Sequence, residues 1–258
     1  MARTRAARPS LVESAGVGGR PSSPPSQNRR NLFDLAYERI EEMIVTCALK
    51  PGRFLTMQEL QESTGLGRTP VHQAVTRLAA DTLIVVQPRQ GLRIATIDLS
   101  RDRILLQLRR DLERFVIRLA TERSGPSHRN QLLHLARALR ERRDTISICE
   151  FNMFDRRIDR LIITAAGEPF LEHTLRPLHT IYRRIGWIHH TAIAADAGLT
   201  QTVDAHLAIL DAVANRHEDA AMAATDRLID FVGSMFEVME REIDPSLLDC
   251  TLTFLPSV

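Results

Sequence analysis

From Leu32 onward, apolar residues recur at steps of three and four, with Leu32, Ala36, Ile40, Met43, Ile44 and Cys47 on one face. That spacing predicts an amphipathic helix, which Pro51-Gly52 ends. A second short helix is expected over about 57–63, and Gly65 to Gly67 supplies a turn. Thr69 with Pro70 behind it reads as the next helix start, where Thr caps and the missing N–H of Pro costs nothing in the first turn. The third helix then turns Val71, Ala74, Val75 and Leu78 to one side and Arg68, Thr69, His72, Gln73 and Thr76 to the other. After Asp81 the period becomes two, over Leu83 to Val86 and again over Leu92 to Ala95, with the turn Pro88-Arg89-Gln90-Gly91 between them.

Three helices followed by a hairpin with a basic tip is the layout of a winged helix-turn-helix. Beyond Asp98 no stretch reads as strand. Long amphipathic segments are expected at about 101–124, 127–147, 150–165, 169–192, 201–215 and 218–242, with Ser127, Glu168-Pro169 and Thr200 at helix starts. In the last of these, Leu228, Phe231, Val232, Met235, Phe236 and Met239 form a broad apolar stripe. The fold class expected is mostly α: an N-terminal winged helix-turn-helix plus a C-terminal all-α helical bundle. The boundaries drawn are a flexible basic arm at 1–31, the winged domain at 32–97, the helical domain at 98–245 and a C-terminal tail at 246–258. The arm holds Arg3, Arg5, Arg8, Arg20, Arg29 and Arg30 among Pro, Ser and Gly. It is either an inert tail or a source of extra phosphate contacts.

A length of 258 residues suits two domains, and 44% hydrophobic with 26% charged residues is ordinary for a globular chain. The three cysteines, Cys47, Cys149 and Cys250, are too far apart for a disulfide framework or a paired zinc signature, which favours a reducing cytoplasm. No apolar run is long enough for a bilayer, and no secretion signal is apparent, so a cytoplasmic protein with no membrane partner is expected. The net charge of +2 hides an asymmetry, because the first 97 residues carry the positive surplus and the remainder is mildly acidic. A polyanion facing the N-terminal part would account for it.

The stretch from Gly65 to Ile94, GLGRTPVHQAVTRLAADTLIVVQPRQGLRI, resembles the winged helix-turn-helix of the GntR regulator family, with Arg68-Thr69-Pro70-Val71 at the helix start and Pro88-Arg89-Gln90-Gly91 in the wing. Leu49 to Leu55 is similar to that family's linker between its first two helices. The resemblance implies binding to a double-stranded DNA operator. Side chains at the start of a recognition helix enter the major groove, where Arg pairs bidentately with guanine, so Arg68 is the leading base reader. Thr69 is placed for a phosphate, His72 and Gln73 share the exposed face, and Arg89 with Gly91 would let the wing backbone approach the next groove. Gln58 takes another DNA-facing position by resemblance. Two departures stand out: His72 where the family usually has Arg, and Gly67 where it has Ser. His72 makes weaker contacts at neutral pH, which points to a different operator base beneath it.

The remainder looks like the FCD-type effector domain of the FadR branch, through Arg109-x-x-Leu112-Glu113, Ala165-Ala166-Gly167-Glu168-Pro169 and His206-x-x-Ile209-x-x-Ala212. Glu168 stands where the family commonly has Asn. Many members hold a divalent metal through an Asp, a His four residues on, and two further His. Carried over, those places fall on Asp155, Asp159, His206 and Leu228, with Asp226 and Asp230 to either side of the last. A divalent metal on Asp155, Asp159 and His206, completed by water, is one reading; a pocket without metal, its carboxylates paired with arginines such as Arg156, Arg157 and Arg160, is the other. Arg109 is a candidate partner for an effector carboxylate, or else a partner of Glu113 one turn on. The effector set is therefore Arg109, Asp155, Asp159 and His206. His179, His189 and His190 receive no role.

A nucleophile with its base is absent, and so are the paired Glu-x-x-His elements of di-iron bundles. No catalytic residue is assigned. A metal-dependent helical-bundle enzyme with an accessory DNA-binding domain is the alternative, and a ligand-free architectural protein would leave the large helical domain without a task. The function expected from the resemblance is a transcriptional regulator, a homodimer on a palindromic operator, repressing a catabolic operon under control of a small organic acid.

Overall fold

The computed structural model describes residues 31–195 and 198–254. The N-terminal arm therefore falls, but for its last residue, outside the described residues. The first elements are α1 (Leu32–Val45), β1 (Phe54–Leu55), α2 (Met57–Thr64), α3 (Arg68–Ala80), β2 (Ile84–Gln87) and β3 (Gly91–Ile94). The bundle follows as α4 (Leu99–Arg123), α5 (Pro126–Glu141), α6 (Ile148–Ala166), α7 (Pro169–Ile188), α8 (Thr200–Ala214) and α9 (Glu218–Glu242).

Local chemistry sets most of these ends. At α2, Thr56 and Glu59 form a capping box: the Thr56 hydroxyl accepts from the Glu59 N–H at 3.1 Å, and the Glu59 carboxylate accepts from the Thr56 N–H at 2.6 Å. Ser147 and Glu150 repeat the device at α6. That box explains why α6 starts before the expected 150 and why 142–147 is a loop rather than the last turns of α5. Thr69 is not the cap of α3. The N-cap is Gly67, without a side-chain hydrogen bond, and Arg68 and Thr69 occupy the first turn. Pro126 takes the first turn of α5, so that helix starts before Ser127. Beyond Ile188 the chain winds into a π-helical turn, His189–Ile193, instead of continuing as α-helix to 192.

The hairpin is as expected but belongs to a three-stranded sheet of order β1-β3-β2, all antiparallel. β1 escapes a periodicity reading because two residues cannot show a period. It pairs Phe54 with Arg93 and Leu55 with Leu92. Gly91, at φ +98°, is what lets it pair: a Cβ there would lie 2.9 Å from the Leu55 carbonyl oxygen. The close approach that Gly91 permits is to β1.

Two hydrophobic cores result. One gathers Ile40, Ile44, Leu60, Val71, Leu78, Ile84 and Ile94 from the winged part, together with Ile181 of α7. The other gathers the bundle, in which α4 runs along α9 and α6 while α5 lies on α8. α1 and α7 pack on each other, which joins the winged part to the bundle.

The segment after α9 is not a loose tail over its described residues. Its 3-10 turns at Pro245–Leu247 and Cys250–Phe254 run back to the wing base. Leu248 accepts a hydrogen bond from the Ile97 N–H at 3.0 Å, and the Cys250 N–H donates to Pro51 at 2.9 Å. Asp249 pairs with Arg93 at 3.1 Å, and a Cβ at Gly52 would collide with its carboxylate. Removing residues 245–258 deletes these bonds, at a cost of about 1–3 kcal/mol. Thermal melting of the truncated chain is expected to fall by several degrees; an unchanged melting temperature would show that the strap adds nothing.

Candidate DNA-reading face and ligand cavity

The residues expected to meet DNA lie on one exposed surface. Arg68, Thr69, His72 and Gln73 are solvent-facing on α3, and Gln58 is exposed on α2, its amide donating to Glu62 at 2.9 Å. On the inner side of α3, Val71, Ala74, Val75 and Leu78 are buried, so the helix cannot rotate without exposing them. With a glycine at the cap and no side chain covering it, the first N–H groups of α3 keep the partial positive charge that suits a phosphate. Arg89 adopts φ +66° at the exposed wing tip.

On the bundle side a cavity is lined by residues of α4, α6, α7, the π-turn, α8 and α9. Ile148, Phe151, Leu228, Phe231, Val232 and Met235 make its apolar wall, and Arg109, Asn152, Asp155, His179, Arg183, His190, Thr202 and His206 supply the polar groups. Each predicted effector residue except Asp159 lines it, and Asp159 is bonded to Arg183 and His179, which do.

The charged groups form a closed network. Arg183 donates from Nε to Asp155 at 2.7 Å, from Nη2 to Asp159 at 2.7 Å, and from Nη1 to Glu41 of α1 at 3.3 Å. Both nitrogens of His179 face carboxylates, Nδ1 toward Asp159 at 3.0 Å and Nε2 toward Glu113 at 2.8 Å. Glu113 also accepts from Nε of Arg109 at 3.3 Å. His206 faces Asp155 with Nε2 at 3.0 Å and the Thr202 carbonyl with Nδ1 at 2.7 Å. An imidazole between two acceptors is stabilised in its doubly protonated form, and both His179 and His206 are shifted upward accordingly.

The titration behaviour follows. Burial pushes His179 down, but Asp159 and then Glu113 overcome it and raise it to about 9. Burial pushes Glu113 up, and His179 with Arg109 reverses this, to about 2. Asp159, buried too, is brought to about 2 by His179 and Arg183. Burial and Asp159 raise Asp155, yet the bond from His206 and the charge of Arg183 leave it below the carboxylate range. His190 moves the other way, to about 4, through burial and the neighbouring His189, and is neutral at pH 7.

Polar groups without a partner mark the rest of the cavity. The Asn152 Nδ2 and the His190 Nδ1 are buried with no hydrogen bond among the described residues. Arg109, stacked 4.9 Å over the Tyr182 ring, uses only Nε on Glu113 among the described residues.

The donor set of the resemblance does not fit a metal here. Both Asp155 oxygens are taken, one by His206 and one by Arg183, and Oδ2 of Asp159 is shared by Arg183 and His179. Both His206 nitrogens are engaged, with Asp155 and with the Thr202 carbonyl, and Leu228 fills the fourth place with an apolar wall. Asp226 and Asp230 pair outward with Arg110. Among the described residues no cluster of three or more His, Cys, Asp or Glu side chains is placed to hold an ion. Arg157 takes no part, whereas Arg156 pairs with Glu42 and Arg160 with Glu38 of α1.

Sequence reasoning missed Arg183, His179, Glu41, Glu113 as a network member, Asn152 and His190. One signal was available: Asp155 and Asp159 stand four apart on α6, and His179 and Arg183 four apart on α7, two facing pairs of opposite charge.

A winged helix-turn-helix with an exposed polar face on α3, joined to a helical domain with a mixed polar and apolar cavity, is the architecture of a DNA-binding regulator. The sequence profile of the bacterial regulatory proteins of the gntR family matches residues 33–94, and that of the FCD domain matches residues 104–231. The chain belongs to the GntR family and carries an FCD domain behind its helix-turn-helix; its relatives are transcriptional regulators, not enzymes. The HTH-type transcriptional repressor RspR of Escherichia coli (strain K12) is 25% identical over 81% of this chain and 90% of its own length. An HTH-type regulator from an unstable DNA locus of Streptomyces ambofaciens is 35% identical, over 29% of this chain and 30% of that protein. Among solved structures, E. coli McbR/YncC shares the fold with a TM-score of 0.70 at 18% identity, covering 82% of this chain and 99% of that one. No helix among the described residues is long and apolar enough to cross a membrane.

His179 makes stability depend on pH. Because its folded value is raised, from 6.5 to about 9, its contribution is fully present below 6.5 and is lost as the pH climbs through 9. Melting temperature is expected to decline over that window, and His179→Gln to flatten the decline. An equal decline in the variant would place the loss elsewhere.

Proposed function

We propose that the chain is a cytoplasmic repressor that binds a palindromic operator as a homodimer and answers to a small organic acid held in the bundle cavity. Residues 32–97 serve as its DNA-binding domain and 98–245 as its effector and dimerisation domain. The observation that carries this reading is Arg109: a buried guanidinium at an apolar-walled cavity, with its two terminal nitrogens uncommitted. A planar fork of that kind suits a carboxylate. The unpartnered nitrogens of Asn152 and His190 add places for further acceptor atoms of a ligand, and the apolar wall suits its hydrocarbon part. A repressor is the reading favoured by the name of the E. coli relative that aligns along most of this chain.

Dimerisation fits an exposed apolar stripe on α4, where Ile104, Leu108 and Phe115 are 72%, 48% and 42% accessible. Apolar residues at that helical spacing seldom face water without a partner surface. Two reading helices would then face successive turns of DNA about one dyad. The route from ligand to DNA runs through α1. Arg183 holds Asp155 at the cavity and Glu41 on α1, so a ligand that redraws the charges around Asp155 alters what α1 is held by. The wing tip, with Arg89, and the α3 face, with Arg68, Thr69, His72 and Gln73, ride on that helix.

Arg68→Ala is expected to weaken binding to the specific operator by about 1–3 kcal/mol, with selectivity relaxed at one base per half-site and effector binding unchanged. Arg109→Ala should leave operator affinity without ligand nearly intact and reduce the affinity for acids found in a thermal-shift screen. Gel-shift titrations of both variants, with and without the acid, separate the two roles. Loss of operator binding in a folded, dimeric Arg109→Ala would sink the ligand assignment. Sedimentation should show a dimer without DNA, and Leu108→Asp with Phe115→Asp a monomer; a wild-type monomer would sink the two-fold operator reading.

A further inference from the structure

Arg183 is more than 90% buried, and all three of its guanidinium nitrogens are spent on carboxylates from two helices. Asp155 and Asp159 lie one turn apart on α6, and Glu41 comes from α1. Around the same point stand the rings of His179 and His206, each held against one of those two aspartates. Two carboxylates and two imidazoles converging from three helices are a donor set that borderline divalent ions favour. In this chain a side chain occupies their centre instead.

We propose that Arg183 is the built-in cation of this cavity: its guanidinium takes the place of the divalent ion that the family resemblance gives to Asp155, Asp159 and His206. The assignment rests on this geometry and holds whatever ligand the cavity takes. A guanidinium cannot be deprotonated away, and its planar fork matches the carboxylates one by one. An incoming ion would have to expel it from Asp155, Asp159 and Glu41 together. Each carboxylate left behind would then be buried without a partner, and so would the arginine. Glu41 is decisive in this, because it anchors the far side of the guanidinium from the winged part, and Thr180 and Arg156 hold Glu41 in turn. The arginine is thus fixed from outside the cavity, and the charge that a metal would lend the site is supplied whether or not metal is at hand. Conversely, the donor set is latent. With the guanidinium removed, Asp155 and Asp159 lose the cation they share, with His206 and His179 still against them.

The test uses the full chain with Zn2+ or Mn2+ alone, each equilibrated at pH 7.5, desalted and measured for bound metal, with melting curves in parallel. The wild type is expected to retain no stoichiometric metal and to melt at the same temperature with and without it. Arg183→Ala is expected to retain about one equivalent and to gain several degrees on metal addition. A further His206→Ala change should abolish both. Arg183→Lys, which restores a cation without the fork, should again retain no metal. Asp159→His, which restores the family's residue while keeping Arg183, should remain metal-free as well. Should Arg183→Ala not fold in metal-free buffer, its refolding is followed by circular dichroism with Mn2+ present: recovery of the helical signal supports the assignment and no recovery overturns it. One equivalent of metal in the wild type, lost in Asp155→Ala and His206→Ala, overturns it. So does a folded Arg183→Ala that binds none, or an Asp159→His that binds metal with Arg183 in place.

Discussion

The structure depends on one buried guanidinium. A charge taken out of water costs several kcal/mol unless its partners meet it with good geometry, so Arg183 can stay where it is only while Asp155, Asp159 and Glu41 stay with it. Those partners sit on α6 and α1, and the arginine on α7. The three helices are therefore fixed relative to one another by an electrostatic condition as well as by packing. Removing one partner would leave the others over-charged in a water-poor place, which is why such networks are costly to break though they add little stability when intact. The outer pairs between the same helices, Arg156 with Glu42 and Arg160 with Glu38, are more exposed and matter less.

That condition joins the two cores. Ile181 of α7 is packed in the winged core, Thr180 donates to Glu41 of α1, and one turn away the same helix sends His179 and Arg183 to the cavity side. A helix with a face in each core passes on a change at either one, because packed interiors resist continuous deformation. The strap behind α9 provides a second junction: Leu248, Asp249 and Cys250 grip the wing base at Ile97, Arg93 and Pro51. The reading head is thus held by the bundle at α1 and at the wing. A small shift in the bundle reaches the head at two points.

How much of this was legible in the sequence depends on the range of the physics involved. The helices were legible because their apolar spacing is local, and five of the six bundle segments were placed within a few residues; the end of α5 was missed because the Ser147–Glu150 box, not periodicity, sets the following start. The hairpin was legible and β1 was not, since Phe54–Leu55 becomes a strand only through its partner β3. In the cavity, Arg109, Asp155 and His206 came from resemblance and do line it. Arg183 was invisible to that route, because a resemblance carries over the places of ligands and says nothing of a neighbour that has moved in among them. Glu41 was invisible for another reason: its role exists only across the junction of the two parts.

Charge balance also constrains what the cavity accepts. The positive groups Arg109, His179, Arg183 and His206 are already met by Glu113, Asp159, Asp155 and Glu41, so the network is neutral before any ligand arrives. An acid entering it brings a surplus negative charge into a place where water cannot screen it. Among the cations of that network Arg109 has nitrogens to spare, and turning them to the ligand weakens its hold on Glu113, which shares its Oε1 with His179. The disturbance then travels along shared atoms: His179 leans more on Asp159, which also receives Arg183, which also holds Glu41. No member can take up the added charge alone. A neutral ligand of equal size would leave every pair as it stands, so on the proposed reading only a charged ligand redistributes the pairs as far as Glu41 on α1.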